Sequence, residues 1–90
     1  MIESEVKVTN RAGIHARPAA MIVQTASQFQ AKILLGKENE QINAKSIMGI
    51  ITLGAGYDTV LKLTVDGADE QEAADAIASL FENRFQEESA

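Results

Sequence analysis

The hexapeptide Gly13-Ile14-His15-Ala16-Arg17-Pro18 sets the chain's only histidine two residues before an arginine and three before its only proline. Pro18 suits the first turn of a helix, where a missing N–H costs nothing, and Ala19, Ile22, Val23, Ala26 and Phe29 follow at helical spacing. His15 is therefore expected at or just before a helix N-terminus. Backbone N–H groups and the positive end of the macrodipole would there face a phosphate carried on the imidazole, and Arg17 could add charge-assisted hydrogen bonds. Gly13 permits a positive φ in the approach. On residue types alone two readings stand: a solvated or capping side chain, or a nucleophile set beside a guanidinium at a helix start.

A second chemical position is Ser46. Residues 46–53, Ser-Ile-Met-Gly-Ile-Ile-Thr-Leu, are apolar enough for a strand or a short helix, but Ser46 is a favourable N-cap and Gly54-Ala55-Gly56 a plausible stop, which favours the helix. The plain reading of Ser46 is a cap; the chemical one is a modification site. Ile47 and Met48 either pack on a sheet or dock a partner, because a short helix cannot bury every apolar residue. Met21 and Gln24, on the less apolar side of the first helix, would extend such a docking surface.

The elements that must position these residues follow from periodicity. Ile2, Ser4, Val6 and Val8 alternate with Glu3, Glu5 and Lys7 as a half-buried strand that ends in a loop at Asn10–Gly13. Residues 31–35 suggest a second strand, Gly36–Asn39 a turn and Glu40–Asn43 a short return strand. Leu61, Leu63 and Val65 mark a last strand, closed by Asp66-Gly67. In the final helix Asp69 and Glu72 resemble a capping pair, and Ala73, Ala76, Ile77, Leu80, Phe81 and Arg84 fall on one stripe, with Arg84 at its end. The order βαββαβα, with strands apolar on one face, implies an α+β open-faced sandwich with helices on one side of an antiparallel sheet. Strand order does not follow from the pattern. The expected core is Val6, Val8, Ile22, Ala26, Phe29, Ile33, Leu35, Leu61, Leu63, Val65, Ala73, Ile77, Leu80 and Phe81.

Ninety residues, 46% apolar, with no linker, repeat or low-complexity tract, read as one domain over residues 1–90 that is too small for a deep substrate cleft. Without cysteine there is no disulfide or thiolate site, and one histidine does not make the usual zinc site, so no metal is expected. The first residues lack a basic start and apolar run, and no stretch nears the ~20 apolar residues of a membrane span. A cytoplasmic protein without membrane insertion is the expectation. A net charge of −5, with acids gathered in Glu3, Glu5, Glu38, Glu40 and the stretch from Asp66 to Glu88, disfavours nucleic acid. Arg11, Arg17 and Lys45 would form either a local positive patch or ordinary surface charge.

Residues 10–19, Asn-Arg-Ala-Gly-Ile-His-Ala-Arg-Pro-Ala, resemble the active-site segment of the HPr family, the histidine-containing phosphocarriers of the bacterial phosphoenolpyruvate:sugar phosphotransferase system. Residues 43–49, Asn-Ala-Lys-Ser-Ile-Met-Gly, resemble that family's regulatory serine segment. The resemblance spans essentially the whole chain. It implies a four-stranded sheet in the order 1-4-2-3 with three helices on one face. It also implies that His15 Nδ1 accepts a phosphoryl group from Enzyme I and passes it to sugar-permease A domains, with Arg17 and the Ala16 N–H stabilising the transferring charge. In that family Ser46 is phosphorylated by HPr kinase/phosphorylase. The short helix, through Ile47 and Met48, docks partners together with the first helix, and a catabolite-control transcription factor joins the partners in some members. The resemblance implies no cofactor, a stoichiometric monomeric carrier rather than an enzyme, and leaves as alternatives a mainly regulatory module controlled at Ser46 or a nitrogen-branch carrier. Tyr57, in a loop, and the acidic end 86–90 depart mildly from the family pattern.

Overall fold

In a computed structural model, which describes residues 1–86, the chain forms β1 (Ile2–Lys7), α1 (Ala16–Ala26), β2 (Lys32–Lys37), β3 (Glu40–Asn43), α2 (Ile47–Leu53), β4 (Val60–Asp66) and α3 (Glu70–Glu82), followed by a turn at Arg84–Gln86. The strands pair antiparallel in the order β1-β4-β2-β3. This is the α+β open-faced sandwich, with three helices, that the element order and the family resemblance imply.

Register decides which residues meet. Val6 lies opposite Leu61, Leu63 opposite Leu35, and Val65 opposite both Ile2 and Ile33, so one face of the sheet is a continuous apolar layer. Their neighbours in sequence, Glu3, Glu5, Lys7 and Lys62, fall on the other face because side chains alternate along a strand. Ile22 and Ala26 of α1, Ile50 and Leu53 of α2, and Ala73, Ile77 and Phe81 of α3 complete the core. Each fully buried large aliphatic or aromatic side chain contributes roughly 1.5–3 kcal/mol.

The expected core is buried except for Phe29 and Leu80, which are only partly covered and pack on its rim. Phe29 lies three residues beyond the end of α1, outside its helical stripe. In α3 the stripe runs through Ala73, Ala74, Ile77 and Phe81; Ala76 is partly exposed, and Arg84 lies past the helix in the terminal turn. Gly36 pairs with Gln41 inside the hairpin rather than turning it, and Glu38 takes the positive φ of 56°. The capping pair is also displaced. Asp69 is the N-cap of α3, but its carboxylate accepts the N–H groups of Gln30 and Ala31, both at 2.9 Å, while Glu70 reaches back to the Gly67 N–H at 3.0 Å. Of the acidic end, residues 87–90 lie outside the described residues.

Candidate functional site

The His15 loop is built backwards from β1. Val8 continues the strand's pairing beyond its formal end, its N–H donating to the Thr59 carbonyl at 2.9 Å and its carbonyl accepting from Asp58 at 2.7 Å. Lys7 and Asp58 then form an ion pair at 2.9 Å, and the carboxylate holds the ammonium pKa above its ordinary value. Gly13 turns the chain at φ +77°, where an added Cβ would lie 3.0 Å from the Ala55 carbonyl oxygen and 3.1 Å from the Gly56 Cα. Ile14 donates its N–H to that same Ala55 carbonyl at 2.9 Å and is itself buried. The loop after α2 thus forms the wall against which the histidine loop is set, and Tyr57 is exposed on its outer side.

His15 is the N-cap of α1. Its backbone is extended, and its carbonyl accepts the Ala19 N–H at 2.9 Å. The imidazole is exposed, as are Ala16 and Arg17, whereas Pro18 and Ala19 are buried beneath them. The first-turn N–H groups of a helix lack intrahelical acceptors and carry the positive end of the dipole. An anion held at this helix start would therefore meet the backbone N–H groups of its first turn. Arg17 Nη1 donates to the Phe85 carbonyl at 3.2 Å. That carbonyl is aimed by an unusual turn in which Arg84, Phe85 and Gln86 all have positive φ, of 53°, 53° and 61°. Phe85 anchors the turn: its ring is fully buried and meets Phe81 edge-on, with centroids 5.0 Å apart. Phe85 was absent from the sequence expectation. Its signal was an aromatic residue four positions after Phe81, in an otherwise polar end.

Ser46 is the N-cap of α2, and its Oγ accepts the Gly49 N–H at 3.1 Å. Gly54 ends the helix in the left-handed conformation, at φ +65°. The far end of α2, through Ala55, meets the His15 loop. The near end is tied elsewhere, since Lys45 Nζ donates to the Phe29 carbonyl at 2.7 Å, past the C-terminus of α1. Lys45 is thereby turned toward the opposite end of α1 from His15, so the three bases Arg11, Arg17 and Lys45 do not gather into one patch. Ile47 and Met48 are exposed by 39% and 67%, and Ile51, which the sequence reading did not single out, by 43%. Gln24 is exposed, while Met21 is partly covered and packs on the core. No cluster of His, Cys, Asp and Glu able to hold a metal occurs among the described residues, nor any helix long and apolar enough to cross a membrane.

The site is an exposed histidine at a helix start on a four-stranded open-faced sandwich. The family model "PTS HPr component phosphorylation site" matches residues 2–83. The phosphocarrier protein HPr of Treponema pallidum is 52% identical over 98% of this chain and 100% of its own length. That of Xylella fastidiosa is 47% identical over 99% and 100%. Among solved structures, HPr-C-His of Thermoanaerobacter tengcongensis superposes with a TM-score of 0.94 at 49% identity, covering 98% of this chain and 99% of that one. The chain belongs to the HPr family, the phosphocarriers of the phosphotransferase system.

Proposed function

We propose that His15 is the phosphoryl acceptor, taking the group from the phosphohistidine of Enzyme I and passing it to the A domain of a sugar permease. The observation that carries this reading is the exposed imidazole at the N-cap of α1, with Ala16 and Arg17 exposed on the same first turn. The lone pair of His15 Nδ1 forms the new P–N bond as the donor's P–N bond breaks, and the bonding pair returns to the donor imidazole. Charge stays on the three phosphoryl oxygens throughout. The helix start and the Arg17 guanidinium stabilise that charge without reorganising water. A P–N bond keeps enough transfer potential for onward movement, which suits a stoichiometric intermediate rather than an enzyme, and we take that intermediate to be a cytoplasmic monomer.

Ser46 is the control position for HPr kinase/phosphorylase. Phosphorylation would add roughly −1.5 to −2 charge at the start of α2, immediately before the exposed Ile47 and Met48. Because α2 meets the His15 loop through its other end, the control acts on partner docking across Ile47, Met48 and Ile51, with Gln24 and Met21 on α1 extending the face. Direct repulsion of the phosphoryl group on His15 is the lesser effect.

Incubation with phosphoenolpyruvate and Enzyme I, followed by intact mass, tests the central reading. One acid-labile, base-stable phosphoryl group is expected, absent from His15→Ala. A phosphate that survives mild acid, or one mapped to a serine under these conditions, overturns it.

A further inference from the structure

Asn10 is a polar side chain with no solvent access, at a point where the chain only needs to leave β1 and turn. Burying an amide is costly unless hydrogen bonds replace those to water. The turn itself is closed by backbone alone, since the Gly13 N–H donates to the Asn10 carbonyl at 3.1 Å, a bond that any residue at position 10 would provide. The side chain does something further. Its Nδ2 donates to the Gly13 carbonyl at 2.7 Å, and the same oxygen accepts the His15 N–H at 3.1 Å.

Two donors on one oxygen fix the plane of the Gly13–Ile14 peptide, and Ile14 is pinned on its other side by the Ala55 carbonyl. The backbone from which the imidazole projects is thus set by the amide of Asn10 as well as by the helix that follows. We propose that Asn10 is a positioning residue for phosphoryl transfer: its buried amide fixes the Gly13 carbonyl, which holds the His15 N–H and so keeps the imidazole in line with the incoming phosphorus. The inference rests on His15 being the acceptor. Asn10 has no solvent access and so touches no partner itself; its loss should slow the transfer step and leave the affinity for Enzyme I unchanged.

The test compares three variants with the parent as the varied phosphoryl acceptor in steady-state transfer by Enzyme I from phosphoenolpyruvate, with each melting temperature measured in parallel. Val65→Ala, at the other end of β4 from the histidine loop, serves as the destabilised control. Asn10→Ala is expected to lower kcat by ~tenfold or more at unchanged KM, the scale on which a small misplacement of a reacting group acts. Asn10→Ser, whose hydroxyl still donates, should recover part of that rate, and Val65→Ala should transfer at the parental rate. Asn10→Ala transferring as well as Val65→Ala, or a loss appearing in KM alone, overturns the proposal. Should Asn10→Ala fail to fold, Asn10→Ser decides: a reduced kcat at parental KM supports positioning, and a parental kcat overturns it. If the parent itself takes no phosphate on histidine, the acceptor assignment has failed, whereas an active parent with an equally active Asn10→Ala removes Asn10 alone.

Discussion

The starts of α1 and α2 pose the same chemical problem, a row of backbone N–H groups without intrahelical acceptors, and answer it differently. At α2 the Ser46 hydroxyl turns inward and accepts the Gly49 N–H. At α1 the cap is a histidine whose imidazole is exposed, and the burden of holding the turn passes to Gly13, Asn10 and the loop at Ala55. A side chain consumed in capping makes a stable corner that is altered only by covalent change. An exposed imidazole that makes no capping bond is instead presented to solvent at its helix start. The start of α3 adds a third answer: Asp69 spends its carboxylate on the N–H groups of Gln30 and Ala31, stapling two elements together.

The largest expected effect breaks the support of the α1 start. Gly13→Ala would hold an L-residue at φ +77° with its Cβ about 3.0 Å from the Ala55 carbonyl oxygen. The left-handed conformation alone costs about 1–2 kcal/mol. Chemical denaturation should show at least that loss, along with slower transfer; a parental midpoint would mean that the loop has another way round. Arg17→Ala comes next and should spare stability, because the side chain is exposed and its bond to the Phe85 carbonyl, at 3.2 Å, is a long one. Phosphotransfer should slow at least tenfold, about 1.4 kcal/mol of barrier. Stopped-flow transfer from Enzyme I measures it, and unchanged kinetics would remove Arg17 from the mechanism.

At the other helix start the sign divides. Ser46→Asp should keep the cap and complement the dipole, holding stability within ~1 kcal/mol of the parent, yet weaken acceptance from Enzyme I. Melting temperature and apparent affinity at low and high salt separate the two, and an aspartate variant that accepts phosphate normally at low salt would reduce Ser46 to a cap. The smallest effect concerns the staple. The Gln30 N–H, followed by that of Ala31, lowers the Asp69 pKa below its ordinary 3.8. A depressed folded pKa gives stability that is present above the unfolded value and lost as pH falls through the folded one. Asp69→Asn should therefore lower stability at neutral pH and flatten the acid side of the pH–stability curve. An unchanged acid limb in melts between pH 2 and 6 would contradict this.

Much of this was legible because local signals agreed. Ser46 and Gly54 bracket α2 as a serine cap and a left-handed stop predict, and the alternation of β1 and β4 named the inward residues. Legibility ended where one segment's polar groups were answered by another's. Asp69 carries a cap's side chain in a cap's place, yet its carboxylate is claimed by N–H groups 38 and 39 positions earlier. Lys45 left open a patch with Arg17 or ordinary surface charge, and a carbonyl beyond α1 draws it away from the patch. Residues 36–39 read as a turn, and the register narrows it to Glu38 and Asn39. Asn10 was read only as the start of a loop, since nothing in its neighbours announces burial.

The Arg17–Phe85 hydrogen bond joins groups 68 positions apart, and β1 likewise waits for β4 to be its partner. During synthesis the histidine loop is made early, the strand that supports it follows well after, and the turn that holds Arg17 comes later still. Contacts of such long sequence separation are formed late and together. A nascent or prematurely ended chain therefore displays the histidine motif without the arginine's anchor. Under the proposed role of His15, the anchored guanidinium therefore joins the site only once residue 85 has been added.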